Sequence, residues 1–210
     1  MCKILFIVPP HITSRQFLNP AQNERVVHKQ EGSYGGVLTD MPLGVLALSA
    51  YIKKHVSVKT KLLDFNVALN KLNGFQYNSF FEYFEHELSS AEIVEFNPDI
   101  IALSVLFTPA YQSAIEIADA CHHLFPQSII IAGGSVPTNM YQDLFNTTDS
   151  FDALCYGEGE RPLLSLIRSH DKQACFDNNP AWITKSKAQK QASFQYDFIS
   201  NLDEIPFYDY

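Results

Sequence analysis

Hydrophobic and polar positions along this chain switch repeatedly between strand-like and helix-like spacing. Lys3-Ile-Leu-Phe-Ile-Val8 is a continuous apolar run stopped by Pro9-Pro10, as expected of a strand buried on both faces. Residues 9–40 have no periodicity and contain Asn19-Pro20, Gly32, Gly35 and Gly36. They are expected to form a long ligand-covering loop. From Pro42 a helix is predicted, with Asp40 as cap, Leu43, Leu46, Ala47, Ala50 and Tyr51 on one face, and Lys53-Lys54-His55 at its cation-favouring end. Val56 to Phe65 reads as the second strand. Phe80, Phe84, Leu88 and Ala91 share one side of a further helix, with Glu82, Glu85, Glu92 and Glu95 mostly on the other.

After the turn Asn97-Pro98-Asp99, the stretch from Ile100 to Phe107 is a second doubly buried run. Thr108 is a candidate cap, with Pro109 at the first helical position. Ala110, Ala114, Ile117, Ala118 and Cys121 give the following helix a small-residue face, and Phe125-Pro126 ends it. Ser128 to Ala132 is the fourth strand, stopped by Gly133-Gly134. A short helix around 139–145, a strand from Phe151 to Tyr156, a Gly157–Glu160 turn and a helix opened by Pro162 complete the pattern. Strands alternating with helices through residue 170 predict an α/β fold, a doubly wound, Rossmann-like parallel sheet of about five strands with helices on both faces.

Composition narrows the function. Of 210 residues, 46% are hydrophobic and 18% charged, enough for a core and too apolar for disorder. With 15 Lys and Arg against 23 Asp and Glu the net charge is −8, which argues against nucleic acid or an anionic membrane as main partner. Cys2, Cys121, Cys155 and Cys175 form no C-x-x-C pair, so no zinc site or disulfide framework is legible and reduced, mostly buried thiols are expected. The N-terminal apolar run is too short for a signal peptide, and no run reaches the about 18 residues of a membrane span. A soluble, cytoplasmic protein is expected.

In doubly wound sheets ligands bind beyond the C-terminal strand ends. No G-x-G-x-x-G or P-loop follows the first strand, and no catalytic triad, carboxylate dyad or metal-ligand cluster is readable. Ser104 and Thr108, after the third strand, offer hydroxyls to a polar ligand edge; a strand-end serine and a helix cap are the plainer alternatives. Gly133-Gly134 removes two side chains at once, and a tight turn explains one glycine more readily than two. Gly157-Glu158-Gly159-Glu160 offers free amides and two carboxylates at a helix start, where carboxylates also act simply as dipole partners.

Together, Pro9-Pro10, Pro42-Leu43-Gly44, Leu63-Asp64, Ser104-x-Leu106-x-x with Thr108, Gly133-Gly134 with Pro137-Thr138, and Gly157-Glu-Gly-Glu160 form an ordered set. It resembles the N-terminal cobalamin-binding domain of class B radical S-adenosylmethionine enzymes, over about residues 2–170. The resemblance implies that residues 1–170 are the corrinoid-binding domain. Residues 171–210 would be a hairpin (Ala181 to Thr184, returning at Ala192-Ser-Phe194) and a linker leading into a radical domain that this chain lacks. It also implies cobalamin as cofactor, held by Ser104, Leu106, Thr108, Gly133, Gly134, Ser135, Gly157, Glu158 and Gly159, with the nucleotide tail threaded into the sheet edge and the 9–40 loop over the corrin. S-adenosylmethionine and a 4Fe-4S cluster would belong to a radical SAM domain acting in cis or in trans, and no catalytic residue is expected here. The sequence departs from the pattern in two places: the cobalt-ligating D-x-H-x-x-G is absent, with His11 nearby in another context, and Val136 stands where the family often has histidine. Two other readings stay open, a domain of this fold without cofactor that serves as an interaction module, and a nucleotide- or phosphosugar-binding enzyme using the Gly157–Gly159 backbone.

Overall fold

The computed structural model describes residues 1–208. Strand β1 (Cys2–Val8) is buried on both faces because every residue from Ile4 to Val8 is apolar. Ile4, Phe6 and Val8 enter one core cluster, and Leu5 and Ile7 the other. β1 occupies the interior of a six-stranded sheet of order β4-β1-β5-β6-β7-β8. Its members are β4 (Val58–Asp64), β5 (Ile100–Ser104), β6 (Ile129–Gly133), β7 (Ala153–Cys155) and β8 (Trp182–Ile183). The first five strands run parallel, and β8 pairs antiparallel with β7 at the edge. The chain leaves β1 for β4 on one side and returns to β5 on the other, so the winding direction reverses between β1 and β5.

Residues 9–40 are more ordered than their lack of periodicity predicts. Thr13 and Gln16 form a reciprocal capping box for α1 (Ser14–Leu18), and β2 (Val26–Lys29) pairs with β3 (Gly32–Gly35) as a hairpin. Phe17 anchors the segment, stacking on Tyr34 at 5.1 Å and packing against Phe75 and Phe80. These contacts join residues distant in sequence, so no local period announces them.

Helix α2 (Leu43–His55) follows Pro42, which caps it without a side-chain bond, so Asp40 is not its cap. Its buried positions are Val45, Ser49, Ala50, Tyr51 and Ile52, so Ala50 and Tyr51 of the expected face are buried, whereas Leu43 is exposed. Ser49 can be buried beside them because its hydroxyl pairs with the Thr60 hydroxyl at 3.0 Å. Asp64 caps α3 (Phe65–Lys71) directly after β4, and Ser79 caps α4 (Phe80–Leu88). α5 (Ala91–Phe96) ends at Asn97 in the left-handed region.

β5 stops at Ser104, and Leu106 and Phe107 are half exposed beyond it. Thr108 begins a 3-10 turn whose cap position is Phe107 and makes no capping bond. α6 (Tyr111–Leu124) buries Ala114, Ile117, Ala118 and Cys121 against the sheet, as its small-residue face predicts. α7 (Ser135–Thr147) starts at Ser135, well before 139, because the Gly134 turn delivers the chain straight into it. α8 (Glu160–Arg168) begins at Glu160 with Pro162 in its first turn, and α9 (Lys172–Asn178) follows. The expected hairpin at 181–194 is replaced by the sixth sheet strand and α10 (Lys185–Gln189), and residues 192–194 are not a strand. α2 and α8 cover one sheet face, while α3, α4, α6 and α7 cover the other.

Candidate functional site

A cavity of about 160 Å³ opens at the C-terminal strand ends, on the α2/α8 face beside the point where the winding reverses. Its inner wall is apolar, formed by Phe6, Ala102 and Ile131 from three neighbouring strands and by Val45 and Leu163 from the two covering helices. Its rim is built from three turns, each of which follows from local chemistry.

The first two turns are interlocked. Ser104 and Gly133 are register partners on β5 and β6. Val105 donates its N–H to the Gly133 carbonyl at 2.8 Å, and Val136 donates to the Val105 carbonyl at 3.1 Å. The Ser135 hydroxyl donates to the Leu106 carbonyl. Gly134 sits at φ +110°, and a Cβ there would lie 2.6 Å from the Val105 carbonyl oxygen, so both backbone conformation and space demand glycine. Gly133 is different: an added Cβ would meet only the Cys155 Cβ, at an ordinary 3.6 Å. The turn needs one glycine, and the second leaves room for a Cβ beside the cavity.

The third turn follows β7. Gly157 takes φ +84°, and a Cβ on it would overlap the Tyr196 ring, which lies tilted by 32° against Tyr156 at 4.8 Å. Gly159 lies close to Leu48 of α2, while a Cβ on Gly44 at the helix start would meet no heavy atom within 4 Å. The turn after β5, two glycine-containing turns and an open helix start thus ring the mouth of the cavity.

Two titratable groups of the lining are perturbed. Burial, reinforced by Glu158, lifts the Glu160 carboxyl above the usual carboxylate range, although it opens α8. Burial, with Glu160, Glu158 and Asp197 adding, pushes the Cys155 thiol up to about 12, so it is a neutral thiol donating weakly to the Glu158 carbonyl at 3.4 Å. Trp182 is 1% exposed and also lines the cavity, yet its indole Nε1–H meets no acceptor among the described residues.

Of the residues singled out in sequence, the structure brings Ser104, Leu106, Gly133, Gly134, Gly157, Glu158 and Gly159 together in this lining. Thr108 and Ser135 lie outside it, Thr108 in the exposed 3-10 turn and Ser135 on the Leu106 carbonyl. His11 is also outside; its ring lies edge-on to Phe107 at 4.8 Å, and burial holds it below the usual histidine range. Motif reasoning quoted Glu160 only as a carboxylate of the Gly157–Glu160 turn, and missed Leu48, Leu163 and Trp182 as lining residues, the last arriving on an antiparallel edge strand of two residues. The one available signal was that Trp182 is the chain's single tryptophan.

A mostly parallel, doubly wound sheet with an apolar cavity and glycine turns at its C-terminal edge defines an α/β cofactor- or ligand-binding domain. The B12 binding domain model matches residues 38–167, more than half of the chain and all three rim turns. The chain belongs to that family. It is 27% identical over 90 residues to the anaerobic magnesium-protoporphyrin IX monomethyl ester cyclase of Cereibacter sphaeroides, a match covering 43% of this chain and 14% of the cyclase. This chain therefore matches about one-seventh of that relative's length. Among solved structures it is similar to a novel cobalamin-binding protein from Desulfitobacterium hafniense DCB-2, with a TM-score of 0.34 and 16% identity, covering 70% of this chain and 48% of that one.

The residues present fit a corrinoid's tail. An engineered apolar cavity of about 150 Å³ takes a benzene-sized ring. The cavity here, at about 160 Å³, has room for one aromatic group and none for a macrocycle, which would stay at the glycine-lined mouth. Within this lining, the unstrained Gly133 and the unpartnered Trp182 indole are two features that the surrounding protein groups leave unexplained.

Proposed function

We propose that this chain binds a cobalamin-type corrinoid, with the nucleotide tail in the cavity and the macrocycle over the strand ends. The observation that carries this reading is Gly133, a glycine that the backbone does not require, lining the cavity at the end of a central strand with room for a Cβ. Phe6, Ala102 and Ile131 exclude water from the tail, and Ser104 offers its hydroxyl at the end of β5. Gly134, Gly157 and Gly159 leave backbone rather than side chains at the rim. The half-exposed Leu106 and Phe107 give an apolar rest for a macrocycle that would otherwise leave them wet.

A bound corrinoid supplies a cobalt centre able to carry a methyl group. The residues of this chain hold and orient it. We assign the chain as the carrier domain for a radical S-adenosylmethionine methyltransferase-type partner, in cis or in trans, which would contribute the S-adenosylmethionine and the 4Fe-4S cluster. That assignment rests on the ordered motifs from Pro9-Pro10 to Glu160. The site needs no membrane, and among the described residues no helix is long and apolar enough to cross one.

The test is incubation of the purified chain with hydroxocobalamin, removal of free corrinoid by desalting, and a visible spectrum. The reading expects a retained corrinoid band in the wild type and its loss in Gly133→Leu with the fold intact by circular dichroism. A colourless wild-type protein overturns corrinoid binding and favours the cofactor-free interaction module.

A further inference from the structure

Trp182 stands apart from the rest of the site. It lies beyond the stretch matched by the family model, on the antiparallel edge strand β8, and packs edge-to-face on Phe176 at 5.4 Å. Its ring is 1% exposed and lines the cavity wall, and its Nε1–H meets no acceptor among the described residues. A buried indole donor normally finds a partner, and leaving one unmade costs free energy. Phenylalanine would fill this wall without that cost. The Tyr83 hydroxyl is unpartnered too but lines no cavity among those described, whereas Trp182 lies on this wall, apolar apart from Ser104, Cys155, backbone groups and the rim glutamates, where an occupant can supply the acceptor.

We infer that the Trp182 indole N–H is a specificity donor to a hydrogen-bond acceptor on the nucleotide tail of the bound corrinoid. The cavity therefore selects complete corrinoids over forms lacking the tail. The inference rests on the corrinoid-binding reading and adds to it the residue that reads the tail. A cavity with room for one aromatic group brings a heteroaromatic base, with its ring nitrogen and attached ribose, within reach of the cavity wall.

The experiment uses the whole 210-residue chain labelled with ¹⁵N. A single tryptophan gives a single indole N–H resonance, and cob(III)alamins are diamagnetic, so the resonance can be followed directly. Cyanocobalamin is expected to move it downfield and slow its exchange with solvent, whereas dicyanocobinamide, which lacks the nucleotide, is expected to leave it in place. Trp182→Phe is expected to weaken cyanocobalamin binding about tenfold, the effect of one lost hydrogen bond to a buried donor, and to leave dicyanocobinamide binding unchanged. An indole resonance that stays put while cyanocobalamin is retained overturns the inference and spares the corrinoid reading. Equal weakening of both corrinoids by Trp182→Phe also overturns it, because that is a packing effect. A wild-type chain that retains neither corrinoid overturns both. If Trp182→Phe does not fold, the wild-type resonance with the two corrinoids decides.

Discussion

The Thr138 hydroxyl accepts the Gly157 N–H at 3.1 Å, tying the turn after β7 to the first part of α7. The same hydroxyl donates to the Gly134 carbonyl at 2.9 Å. One side chain therefore sets the spacing between two of the three turns around the cavity mouth.

Thr138→Val keeps the shape and removes both bonds. The Gly157 N–H is then left without its partner in a partly buried place, and a loss of about 1 kcal/mol is expected. Thr138→Ser should recover most of it. Urea unfolding checks this: the midpoint should fall for Val with the slope unchanged, since a changed slope signals a different unfolded or native compactness.

The adjacent glycines should respond to different degrees. Gly134→Ala forces a side chain into φ +110° and against the Val105 carbonyl, and a cost of about 1–3 kcal/mol is expected from the strained backbone alone. Gly133→Ala adds a Cβ at an ordinary distance from Cys155, so thermal unfolding should show little loss. Corrinoid retention should decline progressively from Gly133→Ala to Gly133→Val to Gly133→Leu as the open space is filled. Equal destabilisation by Gly133→Ala and Gly134→Ala would remove the distinction on which the cavity reading rests.

The parallel core was legible because β1, β5 and β6 are buried on both faces and therefore continuously apolar, a pattern that needs no partner to be seen. The rim was legible because Gly133-Gly134 and Gly157-x-Gly159 interrupt those runs at the sheet's C-terminal edge, where ligands bind in this architecture. Elements held by distant contacts were hidden. Phe17 organises the 9–40 segment by stacking on Tyr34, and β8 joins the sheet through two residues, too few to show a period. Trp182 and Leu48 reach the cavity from elements whose sequences describe their own packing and not what they face. Thr108 and Ser135 sit within the motif stretches, but adjacent residues on a turn point in different directions, so motif membership alone does not bring a side chain to the cavity.

Thiol labelling should separate the cysteines. Burial pushes Cys121 far up and Cys155 up to about 12, and Cys175 is also buried, whereas Cys2 is partly exposed. Thiolate is the reactive form. Cys2 should take iodoacetamide first, and slowly, because burial and Asp99 raise its pKa as well. Cys121 and Cys155 should label only as fast as the chain unfolds. Peptide mass spectrometry with and without urea reads the order, and rapid labelling of Cys155 in the native chain would contradict its enclosed position.

The pH dependence of stability should carry the mark of Glu160. Burial and then Glu158 raise its carboxyl above the usual range, outweighing its own backbone hydrogen bond, which acts the other way. The folded state therefore holds the proton more tightly than the unfolded chain does. As pH rises from the ordinary carboxylate pKa of about 4.3 through the raised folded value, the unfolded state loses its proton first and stability falls. Above that window the full cost of the buried charge persists. Glu160→Gln has no such window. The two proteins should be about equally pH-sensitive at the acid end, after which the glutamine variant should gain an advantage that grows through the window and then levels off. Urea unfolding at successive pH values measures the difference, and an offset that does not change with pH would show that Glu160 acts through packing alone. Glu158→Gln provides the internal control, because removing the neighbouring negative charge should narrow the window from above while leaving the burial of Glu160 in place.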